Sequence, residues 1–172
     1  MEIKKSKTFE LIVFAMLGAI MFCSKILMEA IPNVHFLGML TMVYTIVFRQ
    51  KALIPIYVYV LLTGVYAGFS PWWIPHLYLW TLLWALTMIL PKNMSKKASC
   101  IVYPLICASH GLLYGTLYAP AQAIMYGMNF EKMLAWIVVG LPWDAVHACG
   151  NFIAGILIYP LSQLLQKLMK KR

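Results

Sequence analysis

Residues 9–30 read Phe9-Glu10-Leu11-Ile12-Val13-Phe14-Ala15-Met16-Leu17-Gly18-Ala19-Ile20-Met21-Phe22-Cys23-Ser24-Lys25-Ile26-Leu27-Met28-Glu29-Ala30, behind Lys4, Lys5 and Lys7. A cleavable leader has a basic start, an apolar core of about 7–15 residues and a small-residue cleavage site. This run is longer, lacks such a site and is followed by further apolar runs. It reads as a first membrane helix, for which about 20 apolar residues suffice.

The same pattern repeats outward from it. Asn33 to Phe48 is closed by Arg49-Gln50-Lys51, Ala52 to Phe69 by Ser70-Pro71, and Ile74 to Leu90 by Pro91-Lys92-Asn93. Ser99 to Ala119 is closed by Pro120, and a last apolar stretch runs from Met133 to Leu165. That stretch is too long for one plain span, and Gly140-Leu141-Pro142 interrupts it. Proline is favoured in the first turn of a helix and disfavoured inside one. The pattern therefore predicts a short outer-surface helix near Asn129 to Val139 and a last span starting at Pro142. The expected fold is an all-α membrane protein of one domain, with six transmembrane helices near residues 9–30, 33–48, 52–69, 74–90, 99–119 and 142–165.

Composition agrees. Of 172 residues, 63 % are hydrophobic and 11 % charged, where a soluble domain carries roughly 45–50 % and about 25 %. With the N-terminus inside, the inner segments hold Lys4, Lys5, Lys7, Arg49, Lys51, Lys92, Lys96, Lys97, Lys167, Lys170, Lys171 and Arg172, which is 12 of the 14 Lys and Arg. Only Lys25 and Lys132 fall outside. The positive-inside rule then predicts cytoplasmic N- and C-termini. The net charge of +9 does not point to nucleic acid, because no basic face alternates with aromatics in a soluble segment. Cys23, Cys100, Cys107 and Cys149 form no CxxC pair. They read as small buried hydrophobes rather than metal ligands.

Orientation assigns depth to the polar residues. Lys25, Glu29, Asn33, His35, His76, Trp80, Tyr114, Tyr118, Gln122, Asp144 and His147 fall in the outer half, and His110 and Asn151 near the middle. Ionisable groups in a membrane cost several kcal/mol unless they pair or line a wet cavity. One polar pocket opening outward accounts for them; an interfacial aromatic belt with snorkelling side chains is the plainer alternative, and the one preferred for Trp72 and Trp73. Asp144, His147 and Asn151 lie at i, i+3 and i+7, within about 60° of one helix face. They can bind a polar ligand or tie the last span to its neighbours. Lys25 and Glu29 can be an intrahelical ion pair. Trp80, Tyr114, Tyr118, Trp136 and Trp143 can supply flat walls. The connection carrying Glu29, Pro32, Asn33 and His35 is expected to cap the pocket. Ala15 and Ala19 form a small-xxx-small pair, suited to close helix approach within the chain or by a partner.

Six spans in this length, cytoplasmic termini, Ala15-x-x-x-Ala19, and Gly140-Leu141-Pro142-Trp143-Asp144-Ala145-Val146-His147-Ala148-Cys149-Gly150-Asn151 together resemble a known family. The chain is similar to the substrate-binding S component of energy-coupling factor (ECF) transporters, bacterial vitamin importers of the plasma membrane. The resemblance implies high-affinity capture of a vitamin, cofactor precursor or similar small molecule in the outer half. It implies docking to a transmembrane coupling subunit through Ala15 and Ala19, and ATP hydrolysis by two separate ATPase subunits. No phosphate-binding G-x-x-x-x-G-K-[S/T] loop is present, in agreement. The chain itself is then no enzyme and needs no cofactor or metal. Two other classes stay open: a self-sufficient small transporter or channel, although no inverted repeat is visible, and an intramembrane enzyme using Asp144, His147 and His110. The latter lacks a G-x-S-x-G elbow or an H-E-x-x-H helix.

Overall fold

The structure is a computed structural model that describes residues 7–170. It is helical throughout, with 84 % of residues in helix and no strand among those described. The α-helices are α1 (Lys7–Leu27), α2 (Leu37–Phe48), α3 (Leu53–Ala67), α4 (His76–Ile89), α5 (Lys96–Leu112), α6 (Tyr114–Tyr126), α7 (Phe130–Gly155) and α8 (Ile158–Lys170). Short 3-10 turns occupy Arg49–Ala52 and Pro71–Trp73. Four helical stretches are long and apolar enough to cross a membrane: Lys7–Leu27, Leu37–Ala67, Lys96–Tyr126 and Phe130–Gly155.

Side-chain contacts fix the sense of each leg. α2 runs against α1, since Phe48 meets Phe14 at 5.1 Å between ring centroids and the Tyr44 hydroxyl donates to Leu17 O at 3.1 Å. α3 runs with α1: Lys51 pairs with Glu10 at 2.7 Å, and Tyr66 meets Phe22 at 5.5 Å. α4 returns along α3, with Trp73 Nε1 donating to Val60 O at 2.8 Å and the Tyr57 hydroxyl to Leu77 O at 2.9 Å. α5 and α6 run against α4, joined by His110 to Leu79 O at 3.1 Å and Tyr78 to Leu117 O at 2.7 Å. α7 runs back along α5, bringing Asp144 to Gly115 and Asn151 to Cys107. Six successive legs thus alternate in sense. Glu10, Arg49, Lys51 and Lys92 gather at one end, and Lys25, His35, His76, Tyr118 and Asp144 at the other.

The reversal between α2 and α3 is made at Arg49, a non-glycine residue with φ 54°. That region crowds an L side chain. Arg49 is held there from α4: its guanidinium donates to Met88 O at 2.7 Å, and its own carbonyl accepts Trp84 Nε1 at 3.1 Å. α1 and α3 approach closely at Gly18, where a Cβ would stand 2.5 Å from Val58 Cγ1 and 2.8 Å from Pro55 O.

The core is built on Phe14, Met21, Met42, Ile56, Tyr59, Trp80 and Leu83, all buried. Large apolar side chains are also plentiful outside, among them Leu11, Leu27, Val65, Ile89, Ile101, Ile124 and Val139. Such a surface needs an apolar surrounding, and the long apolar helices are compatible with membrane insertion.

Two local expectations differ from the structure. No separate helix spans residues 129–139: α7 is continuous from Phe130 to Gly155. Asn129 caps it by accepting from Lys132 N at 2.9 Å. Pro142 removes only one N–H, and it sits exposed beside exposed Val138 and Val139, on α7's outward side. The last stretch breaks instead at 156–157, so α8 is a helix of its own. Likewise Pro120 does not close the run 99–119: the run lies within the helical stretch Lys96–Tyr126, which has an irregular turn at Leu113 between α5 and α6 and passes through Pro120.

Candidate functional site

All four histidines of the chain meet at one end of the bundle, around Trp80. They arrive on four elements: His35 from the α1–α2 connection, His76 from the start of α4, His110 from the end of α5 and His147 from the middle of α7. The Trp80 ring lies 6.0 Å from His35, 6.4 Å from His76, 5.8 Å from His110 and 6.1 Å from Tyr114, centroid to centroid. Tyr59 of α3 closes another side at 6.0 Å. His147 meets His35 at 4.6 Å and Tyr114 at 4.9 Å, both edge to face.

The helical period explains this convergence on α7. Its buried residues are Asp144, His147, Asn151, Ala154 and Gly155. They form one stripe, repeating every three to four positions. Trp80, His110 and Asn151 are 1 % exposed and His147 3 %.

Hydrogen bonding in the cluster is incomplete. Among the described residues, His35 Nδ1, Trp80 Nε1, His110 Nδ1, His147 Nε2 and Asn151 Oδ1 are buried without a partner. Leaving one such group unsatisfied costs about 1–3 kcal/mol. Four such atoms in one ring cluster, with Asn151 Oδ1 at its border, are unusual, because buried polar groups are normally paired. Thr41 Oγ1 and Ser162 Oγ share this condition on α2 and α8.

A second layer is hydrogen-bonded around the Trp72 carbonyl. The Trp72 carbonyl accepts the Tyr118 hydroxyl at 2.8 Å and His76 Nδ1 at 3.2 Å. The Tyr114 hydroxyl lies 3.5 Å from His76 Nε2. Tyr118 also stacks on Trp136 at 6.0 Å. Trp73 Nε1 is taken by Val60 O, so this tryptophan is anchored inward rather than being a plain belt residue.

Asp144 does something different from His147. Both its oxygens lie 3.1 Å from Gly115 N, in the first turn of α6. The carboxylate thus caps a helix N-terminus, where amides and the helix dipole favour negative charge. Gly115 lets the carboxylate come close, since a Cβ there would stand 2.5 Å from Asp144 Oδ2 and push it aside. Asn151 donates Nδ2 to Cys107 O at 3.1 Å and packs between Gly38 and Gly111. Both residues join α7 to α5 and α6. Asn151 retains a free acceptor.

Of the residues singled out from sequence, Trp80, Tyr114, His35 and His147 enter the cluster, and Tyr118 and Asn151 border it. Trp143 does not: it is 58 % exposed, as expected one position from buried Asp144 on a helix turning 100° per residue. Lys25 bonds Glu29 at 2.8 Å, an i, i+4 ion pair whose Glu29 lies in the turn just past α1. Asn33 is exposed and takes φ 57°, a turn conformation tolerated by Asn. Gln122 is half-buried two turns beyond Tyr114 on α6. His76 and His110, given an outer and a middle depth by the sequence, also enter the cluster; Tyr59 enters it without a sequence signal. Ala15 is exposed and Ala19 half-buried, on the outward side of α1. Among the described residues, no group of three or more His, Cys, Asp or Glu is disposed to hold a metal ion. Comparison with protein-family models, curated proteins and solved structures finds no match to this chain.

Proposed function

We propose that this chain is a membrane-embedded small-molecule capture subunit, similar to the S component of an ECF-type bacterial importer. In this reading the six alternating legs span the plasma membrane. The basic end, with Arg49, Lys51 and Lys92, faces the cytoplasm, and the histidine cluster lies toward the outside. His35, Trp80, His110, Tyr114 and His147 contact the ligand. Ala15 and Ala19 on the exposed side of α1 meet the coupling subunit, and two ATPase subunits supply the energy. The chain itself performs no catalysis.

One observation carries the reading: four buried, unpartnered polar atoms on His35, Trp80, His110 and His147, whose rings gather about Trp80, with Asn151 Oδ1 at the border. A purely structural core would pair them or replace them with apolar groups. A bound small molecule satisfies them. Pockets of this kind join aromatic walls to a few convergent polar groups.

The experiment is native mass spectrometry of the protein extracted from its own membrane. We expect a retained small molecule and co-purifying ATPase chains. A protein that purifies alone and moves its ligand unaided across proteoliposomes would be a self-sufficient transporter instead.

A further inference from the structure

The basic end of the bundle carries a cavity that ligand capture does not use. It holds about 420 Å³ and is lined by Phe48, Arg49, Gln50, Lys51, Met88 and Lys92. The α2–α3 reversal supplies the first four, the end of α4 supplies Met88, and the α4–α5 connection supplies Lys92. Three cations thus line one recess. Glu10 offsets one of them by pairing with Lys51 at 2.7 Å. Arg49 and Lys92 make no ion pair among the described residues.

Arg49 is the fixed member. Its guanidinium donates once, to Met88 O at 2.7 Å, and makes no other bond among the described residues. A guanidinium carries five N–H donors. A fork already held in place matches the oxygens of a phosphate two at a time, at little further cost in side-chain entropy. Lys92 adds a point charge from an exposed connection.

The surroundings indicate where that phosphate comes from. Ile89, next to Met88, is 80 % exposed, and Ile54, three residues after Lys51, is 41 % exposed. An apolar groove lined by Leu53, Ile54, Tyr57, Val58 and Leu61 starts two residues past Lys51 and follows α3. From Leu53 to Leu61 it runs roughly 12 Å away from the basic end, at 1.5 Å per residue. A free anion has no use for such a groove. An acidic protein segment would meet the cations, but would lay unpaired backbone groups along a lipid-facing surface. A glycerophospholipid has a part for each feature, and basic pockets between membrane helices do bind anionic head groups.

We infer that the recess at Arg49, Lys51 and Lys92 binds the phosphodiester of an anionic glycerophospholipid, whose acyl chain lies along α3. This rests on the proposed membrane insertion and not on ligand capture, so its failure leaves the capture reading standing.

The test is native mass spectrometry of the full chain, delipidated in detergent and titrated with phosphatidylglycerol, phosphatidylcholine or glycerophosphate. Phosphatidylglycerol is expected to bind saturably. Phosphatidylcholine, which carries its own cation beside the same phosphodiester, should bind at least about fivefold more weakly. Lys92→Gln removes a recess charge without touching the Arg49 clamp and should weaken phosphatidylglycerol about fivefold. Arg49→Lys keeps the charge but loses the fork, and should weaken it similarly once wild-type-like unfolding is verified. Lys167→Gln removes the same charge from α8, outside the recess, and should leave binding unchanged. If it weakens binding as much as Lys92→Gln does, the attraction is diffuse and there is no site. Equal binding of phosphatidylcholine, or no saturable lipid at all, would likewise overturn the proposal. If millimolar glycerophosphate displaces the lipid, the recess takes a soluble phosphate and the lipid assignment is wrong.

Discussion

Asp144 shows how one side chain can carry a structural duty inside a candidate site. Its carboxylate, reaching across from α7, stabilises the α6 N-terminus. Asp144→Ala should lower stability by about 1–2 kcal/mol, the usual range for a lost cap. Asp144→Asn keeps an acceptor and should lose only the charge–dipole part, about 0.3–1 kcal/mol. Thermal unfolding in detergent measures both. If Asp144→Asn unfolds like wild type but no longer retains its small molecule, the carboxylate belongs to the ligand rather than to the helix. The α7 stripe was legible in the sequence because i, i+3 and i+7 fall on one face. Its partners were not. Gly115 N and Cys107 O are backbone atoms, which carry no letter of their own.

At the scale of elements, α1 separates two kinds of small residue. Gly18 is an internal contact and Ala15 faces outward. Gly18→Val should force α1 away from α3 and destabilise by about 1–3 kcal/mol, as overpacking does. Ala15→Trp should change stability by no more than about 0.5 kcal/mol, the usual range for an exposed site. Under the proposed function it should nevertheless abolish uptake in cells while leaving ligand retention unchanged. Equal loss of uptake and retention would assign Ala15 to internal packing. The sequence pattern distinguished apolar runs well, since chain reversals coincide with Arg49-Gln50-Lys51, Ser70-Pro71 and Pro91-Lys92. It misjudged breaks inside runs. Proline at 120 and 142 looked like punctuation, yet both are carried within helices, and the irregular turns fall at Leu113 and at 156–157.

For the whole molecule, the two ends differ in chemistry. One gathers Arg49, Lys51 and Lys92 around a recess of about 420 Å³, lined also by Phe48, Gln50 and Met88. The other holds the aromatic and histidine cluster. If the bundle is inserted as proposed, single cysteines placed at exposed Asn33 and exposed Lys92, with the four native cysteines removed, should differ in labelling. A membrane-impermeant maleimide applied to intact cells should modify position 33 and spare position 92. The opposite pattern would invert the orientation, and with it the side from which a ligand is taken.

Arg49 also bears on how such a chain is made. The α2–α3 reversal depends on Trp84 and Met88, which leave the ribosome 35–39 residues after it. Until then a strained turn has neither of its clamps. The nascent hairpin should therefore gape at its basic corner while α4 is still being synthesised. Stalled chains ending near residue 95, long enough to clear Arg49 and Lys51 from the exit tunnel while Trp84 and Met88 are still inside it, should be cut readily by trypsin at Arg49 or Lys51. Chains stalled with α4 clear of the exit tunnel should resist it. Synthesis would thus proceed through a vulnerable interval whose close is timed by the arrival of Trp84 and Met88.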